Sequence, residues 1–147
     1  MKIYLDLCCY KRPFDDHSRS RVRREAAAVA RIIERAEKGE LRLIRSPALL
    51  FENSANPEED RRRAAAAWLD GAALDIRLTD TVIERARALA SLGFGELDSF
   101  HLAFAEAAGA RYFATCDDGL LRLGRRHERT LHVSIANPSE IGMEVEP

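Results

Sequence analysis

The stretch "LDSFHLAFAEAAGARYFATCDD", residues 97–118, joins an apolar helix to an apolar strand and carries aspartates near both ends. Its first half predicts a helix over 97–109, closed by the glycine at its end. The following "RYFATC" (111–116) predicts a buried strand. The carboxylates of Asp98 and Asp117 have two interpretations: they cap a helix and a turn, or they bind a metal ion.

Strands and helices alternate along the rest of the chain. Short apolar runs predict four further strands, "KIYLDL" (2–7), "LRLIR" (41–45), "ALDIRL" (73–78) and "LHVSIAN" (131–137). Apolar periodicity and capping residues predict helices over roughly 18–38, 46–56, 57–70, 79–93 and 117–127. This alternation predicts an α/β fold, a three-layer α/β/α sandwich with a central, mostly parallel sheet. We expect residues 1–147 to form a single domain.

Capping residues mark the ends of the first helices. Asp15, Asp16 or Ser18 can cap the first helix, and Gly39 ends it. Ser46, followed by a proline, is typical of a helix start and opens the second.

Composition excludes several classes of protein. No apolar run approaches the roughly 18 residues of a membrane span, and charge returns too early, at Asp6, for a signal peptide. We expect a cytoplasmic protein without a membrane partner. The three cysteines, Cys8, Cys9 and Cys116, predict neither a disulfide framework nor a zinc motif, and are interpreted as small apolar residues in a reducing compartment.

Arginine dominates the basic residues, although the net charge is only −1. It clusters in "RSRVRR" (19–24), "RRR" (61–63) and "RRHER" (125–129). The guanidinium fork suits phosphate contacts. An Arg- and Ala-rich composition can equally reflect the coding bias of a genome, so composition alone leaves phosphate binding open.

Four acidic residues from separate segments are expected near one edge of the sheet. Ligands of parallel sheets bind outside the carboxyl ends of the strands. Asp6 lies near the end of the first strand and Asp117 just past the strand at 111–116. Asp98 lies in the first turn of its helix, and Glu52 lies in the helix that follows the second strand.

Each acid also has a structural interpretation. Asp98 can stabilise a helix N-terminus, Asp117 or Asp118 can cap a helix, and Glu52 can pair with a surface arginine. Asp6 is harder to explain in this way, because an acid in an apolar strand is costly to bury unless it is paired or binds a metal. The case for a site therefore rests on the four acids together.

A divalent cation would remove the repulsion between crowded carboxylates. Oxygen ligands without His or Cys favour Mg²⁺ or Mn²⁺. One or two such ions can stabilise the attacking and leaving oxygens of a phosphodiester.

The chain resembles the PIN-domain nucleases, and among them the single-domain, VapC-type toxins of prokaryotic toxin–antitoxin pairs. The matching segments appear in the family's order: "IYLDLCCY" (3–10), "SPALLFEN" (46–53), the stretch at 97–118 and "IANPSEI" (135–141). The combination of D-x-x-H-L-A, T-x-D and a late N-P is more specific than any one of them.

The resemblance implies an acidic quartet of Asp6, Glu52, Asp98 and Asp117, which act as catalytic residues and as metal ligands. It also implies Mg²⁺ or Mn²⁺ dependence and endoribonuclease activity. An antitoxin protein as partner and a homodimer are further expectations from the family.

Several neighbouring residues have roles that the resemblance leaves open. Thr115 matches the threonine of T-x-D and is expected to place a water or a carboxylate. His101 follows Asp98 by one helical turn, as a partner of the site or as a structural histidine. Gly119 stands where many relatives have another acid, which Asp118 can replace.

The segment "RPFDD" (12–16) lies outside the family's general pattern. Arg12 can contact the scissile phosphate, but we favour a strand-to-helix turn.

Two functions follow from these observations. The first is a metal-dependent endoribonuclease that hydrolyses RNA phosphodiester bonds, as the toxin of a toxin–antitoxin pair. The alternative is a catalytically inactive RNA-binding or regulatory module that keeps the fold and the acids. An aspartyl-phosphate phosphatase is disfavoured, because its mechanism uses an aspartate two residues after the nucleophile, and Cys8 stands there after Asp6.

Overall fold

A computed structural model describes residues 1–71 and 74–142 of the chain. Its five described strands form one sheet in the order β3-β2-β1-β4-β5. The strands are β1 (Lys2–Leu5), β2 (Arg42–Arg45), β3 (Leu74–Asp75), β4 (Tyr112–Ala114) and β5 (Ser134–Ala136). All four strand pairs are parallel, which confirms the predicted α/β/α class with its parallel central sheet.

Seven α-helices connect or cover the strands within the described residues. They are α1 (Leu7–Lys11), α2 (Ser20–Glu37), α3 (Pro47–Ser54), α4 (Glu59–Asp70), α5 (Asp80–Ser91), α6 (Glu96–Ala107) and α7 (Asp118–Arg126). Gly39, Gly93 and Gly109 follow α2, α5 and α6 with φ values of 76°, 108° and 75°. This left-handed conformation favours glycine, so these helices end where the sequence predicts.

Side-chain caps explain where two of the helices begin. The Ser46 hydroxyl accepts a hydrogen bond from the Leu49 amide at 3.1 Å and starts α3, as predicted. The Thr79 hydroxyl caps α5 in the same way. At α2 the predicted cap is wrong: the helix starts at Ser20 without a side-chain cap, because the Asp16 carboxylate binds Ser18 in the preceding turn.

The segment after β1 differs most from the prediction. A strand over 2–7 was expected, but β1 stops at Leu5 and Asp6 becomes the N-cap of the short helix α1. Residues Arg12–Phe14 then form a 3₁₀ turn, which agrees with the favoured turn at "RPFDD". The third predicted strand, 73–78, is reduced to Leu74–Asp75, and its first residue lies outside the described residues.

The core surrounds the two central strands. The rings of Tyr4 on β1 and Phe113 on β4 stack with their centroids 5.1 Å apart, and both residues are fully buried. No helix of the described residues has the length and apolar content needed to span a membrane.

Candidate functional site

The pairing of the central strands brings Asp6 and Thr115 together. Leu5 of β1 is in register with Ala114 of β4, so the residues that follow them emerge side by side at the carboxyl edge of the sheet. The Thr115 hydroxyl donates a hydrogen bond to Asp6 Oδ2 at 2.9 Å. Thr115 therefore contacts a carboxylate of the predicted quartet, and its role in the reaction stays a prediction.

Asp6 is almost fully buried and is held by several hydrogen bonds. The Leu7 amide donates to its Oδ1 at 2.8 Å, and its own amide donates to the Ala114 carbonyl at 2.9 Å. Burial raises the pKa of Asp6 well above its usual value, and Cys8 and Glu52 raise it further against the opposing effects of His101 and Thr115. A bound cation would stabilise the charged form of a carboxylate in such a position.

Glu52 is positioned by a buried chain of hydrogen bonds. Its Oε1 lies 2.9 Å from Nε2 of His101. The His101 Nδ1 lies 2.6 Å from the Tyr4 hydroxyl, which lies 2.6 Å from the Ser46 hydroxyl. His101 is fully buried, while the Glu52 side chain remains 35% exposed at the surface end of the chain.

The electrostatics of His101 reflect the acids around it. Burial lowers the pKa of His101, but the hydrogen bond to Glu52 and the charges of Asp6, Glu52 and Asp98 outweigh this effect, so the pKa is raised. Both ring nitrogens already have partners, Tyr4 and Glu52. The histidine therefore orients Glu52 rather than offering a free nitrogen to a metal.

Asp98 lies in the first turn of α6, where the sequence places it. The cap at the N-terminus of α6 is the backbone of Gly95, so Asp98 does not serve as the N-cap. Burial raises the pKa of Asp98, and the charges of Asp117 and Glu52 add to this against the lowering effect of His101. Asp98 therefore feels the charges of the other predicted acids Asp117 and Glu52.

Asp117 is the N-cap of α7. Its Oδ1 accepts hydrogen bonds from the amides of Gly119 at 2.8 Å and Leu120 at 3.2 Å. The two interpretations of Asp117 are compatible, because these bonds use one oxygen and leave Oδ2 outside the cap.

Asp118 belongs to a different contact. Both of its carboxylate oxygens lie 2.9 Å from the Arg21 guanidinium of α2, and this ion pair lowers the pKa of Asp118. The carboxylate of Asp118, which was expected to replace an acid missing at Gly119, is therefore engaged by an arginine of α2.

Among the described residues, the atoms of Asp6, Glu52 and His101 that can bind a metal lie within 4.8 Å of one another. Asp98 and Asp117 do not belong to that compact set, although the charge of Asp98 acts on His101. The predicted quartet thus comes from four separate places: Asp6 between β1 and α1, Glu52 in α3, Asp98 in the first turn of α6 and Asp117 at the N-cap of α7. Carboxylate donors of this kind fit Mg²⁺ or Mn²⁺.

His101 is tied to the site more closely than the sequence predicts. Its spacing of three residues from Asp98 places both residues on one helix face, and this spacing was the only sign in the sequence that His101 lies near the acids. The link to Tyr4 spans 97 positions and is visible only in the fold.

Arg12 forms ion pairs with acids outside the predicted quartet. Its guanidinium pairs with Asp15 at 2.9 Å and with the buried Glu25 at 3.0 Å. These contacts fix the 3₁₀ turn against α2 and support the structural interpretation of the segment.

A model of the PIN domain matches residues 18–126. No curated protein matches the chain in sequence. Similar solved structures include VapBC2 from Rickettsia felis bound to a DNA fragment from their promoter, with 13% identity and a TM-score of 0.60 over 93% of this chain and 98% of that chain. FitAcB from Neisseria gonorrhoeae has 16% identity and a TM-score of 0.56 over 95% of this chain and 99% of that chain. At such low sequence identities, the similarity to these two structures shows that the chain shares their fold and nothing more.

Proposed function

Because the chain belongs to the PIN domain family, we propose that it is a metal-dependent endoribonuclease. The observation that carries this proposal is the convergence of separate acids at the carboxyl edge of the sheet, with Asp6 and Glu52 held around His101. The proposed catalytic residues and metal ligands are Asp6, Glu52, Asp98 and Asp117.

The cation, Mg²⁺ or Mn²⁺, supplies Lewis-acid stabilisation of the phosphate charge when bound. Asp6 and Asp117 would hold it with carboxylates fixed by backbone amides and by Thr115. Asp98 would add a third carboxylate from the first turn of α6. The resulting positions need little reorganisation during the reaction, which favours catalysis.

Glu52 has a further role in the proposed reaction, besides its place among the metal ligands. Its hydrogen bond to His101 fixes one oxygen, and its partial exposure leaves the carboxylate accessible to water and substrate. We assign it the orientation of the water that attacks phosphorus in line. The 3′ oxygen then leaves, and the product carries a 5′ phosphate.

Arginines beside the acids offer contacts for the RNA backbone. A polar cleft of about 210 Å³ between α2, α7 and the chain near 137–140 is lined in part by Arg24 and Arg125. Both residues are exposed, and the cleft includes Asp118, the neighbour of Asp117. Guanidinium groups in this position suit phosphate contacts that bring RNA to the acids.

The remaining expectations are part of the same proposal. The similar structures VapBC2 and FitAcB support an antitoxin partner, so we propose that the chain is the toxin of such a pair. We also propose that residues 1–147 act as one PIN-like domain in the cytoplasm and that the protein forms a homodimer.

The test is cleavage of a panel of structured and single-stranded RNAs by protein purified without a partner, with Mn²⁺ or with EDTA. We expect cutting that needs Mn²⁺ and that Asp6→Asn abolishes. The matched control is Asp70→Asn, whose side chain is 80% exposed at the end of α4 and should retain full activity. Full activity of Asp6→Asn would refute the mechanism, and binding of RNA without cutting across the panel would favour the inactive module.

A further inference from the structure

All three cysteines of the chain meet at one point beside the acidic site. Cys8 and Cys9 lie in the first turn of α1, and Cys116 lies in the short connection between β4 and α7. The two segments are joined by the pairing of β1 with β4, over a separation of more than one hundred positions. The sequence alone suggested only small apolar residues, because the spacing matches no metal motif.

The geometry of the three sulfurs suits a metal ion. The Sγ atoms of Cys9 and Cys116 are 4.0 Å apart, and all three lie within 4.8 Å of one another. A Zn–S bond of about 2.3 Å at tetrahedral angles separates two sulfurs by roughly 3.8 Å. Small side-chain rotations therefore bring the three sulfurs into ligating positions.

Polar contacts distinguish this cluster from ordinary apolar cysteines. The Cys116 amide donates to Cys8 Sγ at 3.3 Å, and the Cys9 thiol donates to the Ala114 carbonyl at 3.3 Å. Cys8 is partly exposed and gives solvent access to the cluster.

We propose that Cys8, Cys9 and Cys116 form a second metal site, which takes one thiophilic dication of the Zn²⁺ class. Thiolate ligands select such ions, whereas the adjacent carboxylates select Mg²⁺ or Mn²⁺. Binding forms metal–sulfur bonds and releases the remaining thiol protons to solvent, without oxidation or reduction.

The position of this site indicates a structural role. The ion would tie the start of α1 to the connection before α7. Asp6 lies two residues before Cys8, and Asp117 directly follows Cys116. The bound ion would therefore fix the separation of two proposed catalytic carboxylates and stabilise the folded chain. This consequence rests on the proposed function, but metal binding itself does not.

Cd²⁺ is the probe for the experiment, because thiolate ligation gives an ultraviolet charge-transfer band. Full-length protein is titrated without oxygen in the presence of a phosphine reductant and excess Mg²⁺. Every thiolate-to-cadmium signal must come from the cluster, since the chain has three cysteines. We expect a band that saturates at about one Cd²⁺ per chain, a rise in Tm, and protection of the thiols from alkylation.

Variants distinguish this site from the carboxylates. Cys8→Ala and Cys116→Ala should each weaken Cd²⁺ binding by more than about 100-fold, since loss of an indirect partner alone costs 10–100-fold in metal sites. Asp98→Asn, matched as a control, should bind Cd²⁺ as the wild type does, even if the nuclease proposal fails. Thiols that stay open to alkylation in folded wild-type protein with Cd²⁺ would overturn the proposal, as would unchanged Cd²⁺ binding in both cysteine variants.

Discussion

Removing the Tyr4 hydroxyl should destabilise the protein, whereas the same change at Tyr10 should not. Both side chains are fully buried. The Tyr4 hydroxyl lies 2.6 Å from both Ser46 and His101. The Tyr10 hydroxyl has no hydrogen-bond partner among the described residues. The two Tyr→Phe substitutions remove the same atom from equally buried positions and differ in what that atom contacts.

The expected magnitudes follow from these contacts. Tyr4→Phe removes the hydrogen bonds of the hydroxyl to Ser46 and His101 and leaves His101 Nδ1 buried without a hydrogen-bond partner. The expected loss of unfolding free energy is about 2–4 kcal/mol. Tyr10→Phe removes a polar atom that is already unsatisfied, so stability should stay the same or rise by about 1 kcal/mol. At this chain length, a loss of about 1 kcal/mol lowers Tm by roughly 2–4 °C.

Guanidinium denaturation of both variants measures the difference, and RNA cleavage adds a functional readout. The Tyr4 variant should also cut more slowly, by about 10–100-fold, because His101 no longer holds Glu52 firmly. Equal stabilities of Tyr4→Phe and Tyr10→Phe would refute the account of the buried chain.

Three further changes test other parts of the structure. Burial raises the pKa of Asp6, so the metal-free folded state binds a proton that the unfolded state releases. Its stability should therefore fall as pH rises from the unfolded pKa towards the folded one. In denaturation curves recorded across pH without metal, Asp6→Asn should show a smaller fall than the wild type, because Asp98, whose pKa burial also raises, still contributes. Gly124→Ala places a Cβ 2.8 Å from the Ile135 Cβ. The overpacking should cost about 1–3 kcal/mol of unfolding free energy, more than the gain of up to about 1 kcal/mol in helix propensity. A higher denaturation midpoint in the variant than in the wild type would contradict this. Replacing Arg24 and Arg125 by Ala should raise KM for RNA, make KM less dependent on salt concentration and change kcat little. An unchanged KM would show that the cleft does not bind RNA.

The order of strands and helices was predictable because local chemistry determines it. Ser46 caps α3, and Gly39 closes α2 in a left-handed conformation that other residues avoid. Helix α1 was missed, because five residues are too few for a periodic pattern and Asp6 was assigned to the preceding strand. The carboxylate of Asp6 instead caps α1 through the Leu7 amide.

The site was predictable in part. Four acids could be named as candidates: Asp6 and Asp117 stand near strand ends, Asp98 lies in the first turn of a helix, and Glu52 lies in a helix that follows a strand. Their partners could not, since those contacts join distant segments. The amide nitrogens that bind Asp117 Oδ1 and the link of Tyr4 to His101 follow from packing, which a pattern of residue types does not specify.

The most direct test of the account is a Mn²⁺ titration of metal-free protein, followed by electron paramagnetic resonance. We expect saturable binding that Asp6→Asn and Asp98→Asn both weaken strongly, while Asp70→Asn binds as the wild type does. Binding should also weaken as pH falls, because protons compete for Asp6, whose pKa is raised by burial. Mn²⁺ binding that is absent at millimolar metal, or that both acidic-site variants retain, would contradict the proposed metal centre.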